Sequence, residues 1–161
     1  LGHRPPELGG YDNTKAHDRL RQRIREILEA THQLHDDLVV VSGLRLGAEM
    51  IGAEAAYEAG LPVVAVLPYP DPEAPWPSSS QARFRDLRDR ASDVVLLQKK
   101  SPESKQKAGA ALARRDAWLA RNAAEALLVW DRSDDVLGRL ARSLEDHLGD
   151  DVWILDPTEL G

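Results

Sequence analysis

Residues 39–68 read Val-Val-Val-Ser-Gly-Leu-Arg-Leu-Gly-Ala-Glu-Met-Ile-Gly-Ala-Glu-Ala-Ala-Tyr-Glu-Ala-Gly-Leu-Pro-Val-Val-Ala-Val-Leu-Pro, and they decide the fold. The stretch opens on a β-branched apolar run and turns at Gly43 and Gly47. It continues as a helix to about Ala59, stops at Gly60 and ends in a second apolar run at 63–67. A βαβ unit of this kind puts backbone N–H groups and a helix N-terminus at the carboxyl edge of a parallel sheet. Open α/β folds bind phosphorylated ligands at that edge.

Outward from this unit, strands and helices alternate. Residues 4–14 hold two prolines and two glycines and predict a loop. Leu20, Ile24, Ile27, Leu28 and Leu34 recur at helical spacing over 15–35. Asp36 and Asp37 suit a turn before a strand at 38–41. Residues 68–80 are a proline-rich loop whose serines can cap a helix from about Gln81. A strand is expected at 93–97, a lysine-bearing loop at 98–107, a helix at 108–123 and a strand at 126–130. Ser133 or Asp134 can cap a helix to about Leu148, and a strand at 152–155 closes the sheet. The alternation predicts one Rossmann-like α/β domain over 1–161, a doubly wound, mostly parallel sheet with helices on both faces. Leu1-Gly2-His3-Arg4 reads as the end of a strand entering a loop. The ~4–6 apolar residues of a full strand do not stand before Gly2. Either residues precede Leu1 or that strand is very short.

Bulk properties narrow the function. At 161 residues the chain fits a single domain. It has no cysteine, which excludes disulfides, thiolate metal sites and a cysteine nucleophile. No apolar run approaches the ~20 residues that span a bilayer, so no membrane association is expected. No basic segment followed by an apolar one opens the chain. No signal peptide is therefore expected, and a cytoplasmic location is. The net charge of −6 and pI near 5.4 argue against nonspecific nucleic-acid binding. Arg83, Arg85, Arg88 and Arg90 form either a basic patch or, alternating with Asp86 and Asp89, a solvated helix face. There is no His-Glu-x-x-His, calcium loop, Walker A sequence or Gly-x-Ser-x-Gly elbow. His17, His32, His35 and His147 fall among charged helix residues, so no metal is expected.

Three segments together resemble the SLOG superfamily, a Rossmann-like group. It includes DNA-processing protein A of natural transformation and the LOG phosphoribohydrolases. Gly2-His3-Arg4-Pro5-Pro6-Glu7-Leu8-Gly9 is similar to the opening of the YpsA-type branch. Ser42-Gly43-Leu44-Arg45-Leu46-Gly47-Ala48-Glu49 resembles the Ser-Gly-x-x-x-Gly-(small)-Asp/Glu turn of that branch. Arg115-Asp116 followed by Leu127-Leu128-Val129-Trp130-Asp131 resembles its Arg-Asn, then Leu-Leu-x-x-Tyr/Trp-Asp, one residue shorter inside the strand. Asp116 stands where Asn is common, and Ala124 where Asp often precedes the strand. The LOG enzymes carry Pro-Gly-Gly-x-Gly-Thr-x-x-Glu after the corresponding strand; Asp131-Arg132-Ser133-Asp134-Asp135 stands there instead. The resemblance implies the fold and a nucleotide pocket, without the acidic residue that LOG enzymes use at the N-glycosidic bond.

Each candidate residue has two readings. Gly43 and Gly47 allow a phosphate to approach the backbone, or they pack helix on strand. Ser42 bonds a ligand or braces its own turn. Glu49 holds a ribose or acts as acid/base, or it is a carboxylate favoured by the helix dipole. His3 and Arg4, after Gly2, stand at the same sheet edge, and Arg4 either meets a phosphate or pairs with Glu7 or Asp12. Arg45 belongs to the same turn. Arg115 faces the pocket or is solvated beside Arg114 and Arg121. Trp76 stacks on a base or packs its loop down. Pro68 and Tyr69 end one strand at the ligand edge, and Asp131 ends another there or caps the following helix.

The expected function is a cytoplasmic protein that senses or holds a nucleotide-derived ligand, such as ADP-ribose-like, NAD-derived or nucleoside monophosphate molecules. No cofactor is required. One alternative is a LOG-like hydrolase of an N-glycosidic bond, with Glu49 as acid/base and Arg115 positioning phosphate. Another is a single-stranded DNA binder, which the acidic charge and 5% aromatic content oppose. Trp118 and Leu119 offer either a homodimer surface or core burial.

Overall fold

The computed structural model describes residues 1–10 and 14–160. In chain order it contains α1 (Thr14–Leu34), β1 (Val40–Ser42), α2 (Ala48–Glu58), β2 (Val63–Leu67) and α3 (Ser78–Asp89). These are followed by β3 (Asp93–Leu96), α4 (Lys105–Asn122), β4 (Ala126–Val129), α5 (Asp135–Leu148) and β5 (Val152–Leu155). The chain has the α/β, Rossmann-like alternation that its sequence predicts. Helix ends show where local chemistry was misread. The serines after Pro77 do not cap α3; they form its first turn, with Pro77 outside it. Lys105 begins α4 because Ser104 Oγ accepts the Lys107 N–H at 3.2 Å. Of the two expected caps on α5, Asp134 does the work, accepting the Val136 and Leu137 N–H groups.

All strand pairs are parallel. They form a three-stranded sheet, β1-β2-β3, and a two-stranded sheet, β4-β5, rather than one continuous sheet. The expected first strand is a single bridge, Gly2 to Val129. Val129 N–H donates to Leu1 O at 3.0 Å, and His3 N–H donates to Val129 O at 2.9 Å. On the other side His3 O accepts the Ala48 N–H at 2.9 Å. Residues 1–3 therefore link β4 to the start of α2. Pro5 and Pro6 end the extended segment by opening a 3-10 turn, Pro5–Leu8.

The cores follow strand periodicity. Val63, Ala65 and Leu67 of β2 pack with Met50 of α2 and with Phe84 and Leu87 of α3. Leu127 and Val129 of β4 join Leu20 and Ile24 of α1 and Ile51 and Ala55 of α2. Ala126, on the opposite face of β4, packs with Ala120 of α4 and Leu144 of α5. Helices thus cover both faces at β4. Cover is thinner over the reverse face of the three-stranded sheet, where Val41 keeps 38% of its surface exposed. Leu119 is buried, so that half of the expected Trp118-Leu119 surface is core.

Candidate functional site

The turn from β1 to α2 is tighter than its glycines alone suggest. Leu44, not Gly43, takes the left-handed conformation, at φ 55°. That conformation costs a non-glycine residue about 1–3 kcal/mol. Full burial of the Leu44 side chain, worth about 1.5–3 kcal/mol, offsets it. Gly47 does have a positive φ, 100°. A Cβ there would fall 2.8 Å from the Arg4 Cα, so Gly47 lets residues 3–4 lie directly on the turn.

Much of the turn's hydrogen bonding is internal. The Leu44 N–H donates to Ser42 Oγ at 3.1 Å, and Ser42 Oγ donates to Glu49 O at 3.0 Å. Ala48 N–H is taken by His3 O and Met50 N–H by Arg45 O. Three amides that could have met an anion are therefore spent on the protein. Ser42 is a buried brace of its own turn.

What faces the open side is a set of arginines. A cavity of about 140 Å³ lies at the carboxyl ends of β1 and β2. Arg4, Gly43 and Arg45 line it from the N-terminal segment and the turn, with Leu112 and Arg115 from α4. Pro68, Tyr69, Pro72, Pro75 and Trp76 line it from the loop after β2. Neither Arg4 nor Arg45 has a side-chain hydrogen bond or ion pair among the described residues. Arg4 does not pair with Glu7, and Asp12 lies outside the described residues. Burial, and then the neighbouring charge of Arg4, lower the Arg45 pKa from its ordinary value. The cluster is short of negative charge.

Arg115 is the exception, being only 1% exposed and doubly paired. Its Nη2 donates to Glu49 Oε2 at 3.0 Å and to Asp116 Oδ1 at 2.8 Å, and its Nε donates to Asp116 Oδ1 at 3.2 Å. Burial opposes its charge, but Glu49 and Asp116 outweigh burial and raise its pKa. Glu49 is 6% exposed. Burial alone would raise its carboxyl, yet surrounding positive charge, Arg115 foremost, holds it below the usual range. A Cβ on Gly43 would collide with Arg115 Nη1 and Glu49 Oε1. Gly43 is therefore fixed by side-chain contact, without a positive φ.

The loop wall is held by packing. Trp76 meets Phe84 edge to face, with ring centroids 5.4 Å apart. Gln81 Nε2 donates to Ala74 O at 2.9 Å and to Trp76 O at 3.1 Å. Glu73 is buried and accepts from Arg85 Nε at 3.3 Å. Trp76 thus packs its loop down, as one of its two readings expects, and it also lines the cavity.

A comparison with protein families places this geometry, for the YspA SLOG family matches residues 1–143. The chain belongs to the YspA SLOG family. Membership points to a nucleotide-related binding function. A search of curated proteins found no match. The family match ends before β5, the outer strand of the two-stranded sheet.

In this SLOG chain the cavity gathers Arg4, Gly43, Arg45, Pro68, Trp76 and Arg115 from the expected site residues. Gly2, His3, Ser42, Gly47, Glu49 and Asp131 are not in its lining. A Cβ on Gly2 would fall 2.7 Å from Val129 N, so Gly2 serves the bridge to β4. His3 is buried, with Nε2 at 2.9 Å from both the Asp131 N–H and its carboxylate. The Asp131 carboxyl accepts Ser133 Oγ–H at 2.6 Å and Ser133 N–H at 2.9 Å, which with His3 lower its pKa to about 2. Asp131 therefore organises the loop where LOG enzymes place their glycines. Tyr69, expected beside Pro68 at the ligand edge, also lines the cavity; Pro72, Pro75 and Leu112 complete the lining, and only a fold could gather those three. Arg83, Arg85, Arg88 and Arg90 each have a carboxylate partner, which makes them an ion-paired helix face. Among the described residues no group of three His, Asp or Glu could hold a metal, and no helix is long and apolar enough to cross a membrane.

Proposed function

We propose that this SLOG chain binds a phosphorylated nucleotide derivative and acts as a sensor or regulatory protein in the cytoplasm. The observation that carries this reading is the convergence of Arg4, Arg45 and Arg115 on one cavity, two of them without an anionic partner among the described residues. On a chain of net charge −6, such a concentration of positive charge selects an anion. Guanidinium groups match phosphate in shape and donor geometry. The cavity is smaller than the ~300–1,000 Å³ that encloses a drug-sized ligand. It suits a phosphoryl group with adjoining sugar atoms. The base then lies at the rim, beside half-exposed Tyr69 and Trp76. ADP-ribose, NAD-derived and nucleoside monophosphate ligands all meet this description.

The geometry also bears on hydrolysis. A general acid at an N-glycosidic bond needs a raised pKa and contact with the leaving group. Glu49 is held low and ion-paired, outside the cavity lining. That favours binding over bond cleavage.

Thermal shift against AMP, ADP-ribose, NAD and the parent nucleosides tests the reading. A ligand at ~100 times its dissociation constant adds about 2.7 kcal/mol. Shifts confined to the phosphorylated compounds are expected. Equal shifts with nucleosides, or none with any nucleotide beside tight oligonucleotide binding, would overturn it. Chromatography of the same mixtures should show every nucleotide intact; released base would replace the binding reading with a hydrolytic one.

A further inference from the structure

Three of the five donors of Arg115 are committed to carboxylates, although the group borders a cavity. A guanidinium carries five N–H groups: one on Nε and two on each Nη. The Nε–H is taken by Asp116, and the two on Nη2 are taken by Asp116 and Glu49. The pair on Nη1 has no acceptor among the described residues. Nη1 lies against Gly43, itself part of the cavity lining. We propose that Glu49 and Asp116 are positioning residues for Arg115, binding its far side so that Nη1 is the one nitrogen presented to an anion in the cavity.

This assignment separates Glu49 from both roles its sequence position offers. Glu49 lies behind Arg115, where it acts on a ligand only through the guanidinium. Its Oε1 is buried without a partner beside Gly43. The same geometry explains why position 43 takes no side chain, since a Cβ would push out the nitrogen that the two carboxylates hold in place. Two carboxylates are also more negative charge than one guanidinium needs. Asp116, the partly exposed one, weakens an anion's attraction to the cavity as well as orienting Arg115.

The inference rests on the reading of the cavity as an anion site, so its test uses two probes and one ligand-free measurement. Inorganic phosphate, followed by 31P NMR titration, reports the arginines alone; AMP adds the ribose and base. Glu49→Ala should weaken both probes by the same factor, about tenfold, and Glu49→Gln should recover most of the loss. Asp116→Asn keeps an acceptor and removes a charge, so phosphate should bind severalfold tighter. Loss confined to AMP in Glu49→Ala would mean that Glu49 touches the ribose, and would overturn the assignment. Unchanged binding of both probes would overturn it too. The ligand-free measurement is the Arg115 Nη2–H resonance in 15N NMR, the group that donates to Glu49, which should be slow to exchange in the wild type and in Glu49→Gln. It should exchange fast in Glu49→Ala; a resonance as protected there as in the wild type refutes the positioning role. If the wild type binds neither probe, the cavity reading fails alone, and this resonance still decides the role of Glu49.

Discussion

The cavity's two walls are built on different physics. From the β1–α2 turn and α4 come Gly43, Arg45 and Arg115, with Arg115 locked by two carboxylates and almost wholly out of solvent. The wall from residues 68–77 is held by prolines, two side-chain hydrogen bonds from Gln81, one aromatic edge contact and a single ion pair from buried Glu73 to exposed Arg85. A buried ion pair fixes a donor in direction because any rotation strands a desolvated charge. An aromatic contact fixes shape with a far shallower penalty. On the proposed function, charge recognition falls to the wall held by the ion pair, and size and ring selection to the loop wall.

The sharpest way to break this comparison is to delete Arg115. Arg115→Met leaves Glu49 buried without its partner and should cost about 3–5 kcal/mol in urea unfolding. A loss under 1 kcal/mol would mean that water reaches the pair and that the rigid wall is not rigid.

The acid side of the stability profile tests the same pair. The Glu49 carboxyl is held below its ordinary value in the folded chain. Its contribution is then complete above the unfolded value, about pH 4.3, and is lost as pH falls through the lower folded value. Stability measured from pH 7 to 3 should fall along this limb in the wild type and more gently in Glu49→Gln. Parallel limbs would remove Glu49 from the account.

A smaller effect is expected at Gly43. Gly43→Ala puts a methyl group against Arg115 and Glu49 and should cost about 1–3 kcal/mol. With Arg115→Met already in place the added cost should shrink, because the clash partner has gone. Strict additivity would show that something else constrains position 43.

The loop wall should respond least. Trp76→Ala loses its contact with Phe84 and should cost about 1–2 kcal/mol in unfolding free energy. It should weaken AMP more than inorganic phosphate. A uniform loss would place the tryptophan's influence on the arginines instead of on a ring.

Most of the fold was legible in the chain. Residues 63–67 and 152–155 become strands where the β-branched runs predict them. Gly60 follows the last turn of α2 as expected. What was misread came from competition between neighbouring signals. Ser78, Ser79 and Ser80 suit a cap, but Pro77 already stands outside the first turn and starts α3 earlier. Within the given residues the first strand is one bridge, ended by the turn that Pro5 and Pro6 open. At the site, Arg4 was legible as a cation at the sheet edge and Arg45 as part of the turn, while Arg115 stood between pocket and solvent. Two roles were not legible. Gly43, read as a point where a phosphate approaches or helix packs on strand, lines the cavity and also leaves room for the Arg115 guanidinium. Glu49 looked like an acid or a ribose ligand and proved to be a counter-ion behind the cavity.

The amino-acid order by itself determined the alternation of strands and helices, the βα turn and the edge at which a ligand would sit. These depend on side-chain period and on glycine and proline geometry, which act over a few residues. Only the tertiary structure decided which charges meet. Arg115 and Glu49 stand 66 residues apart in the chain. Nothing local to either sets their distance; the fold brings one turn of α4 to the start of α2, and burial makes their pairing obligatory.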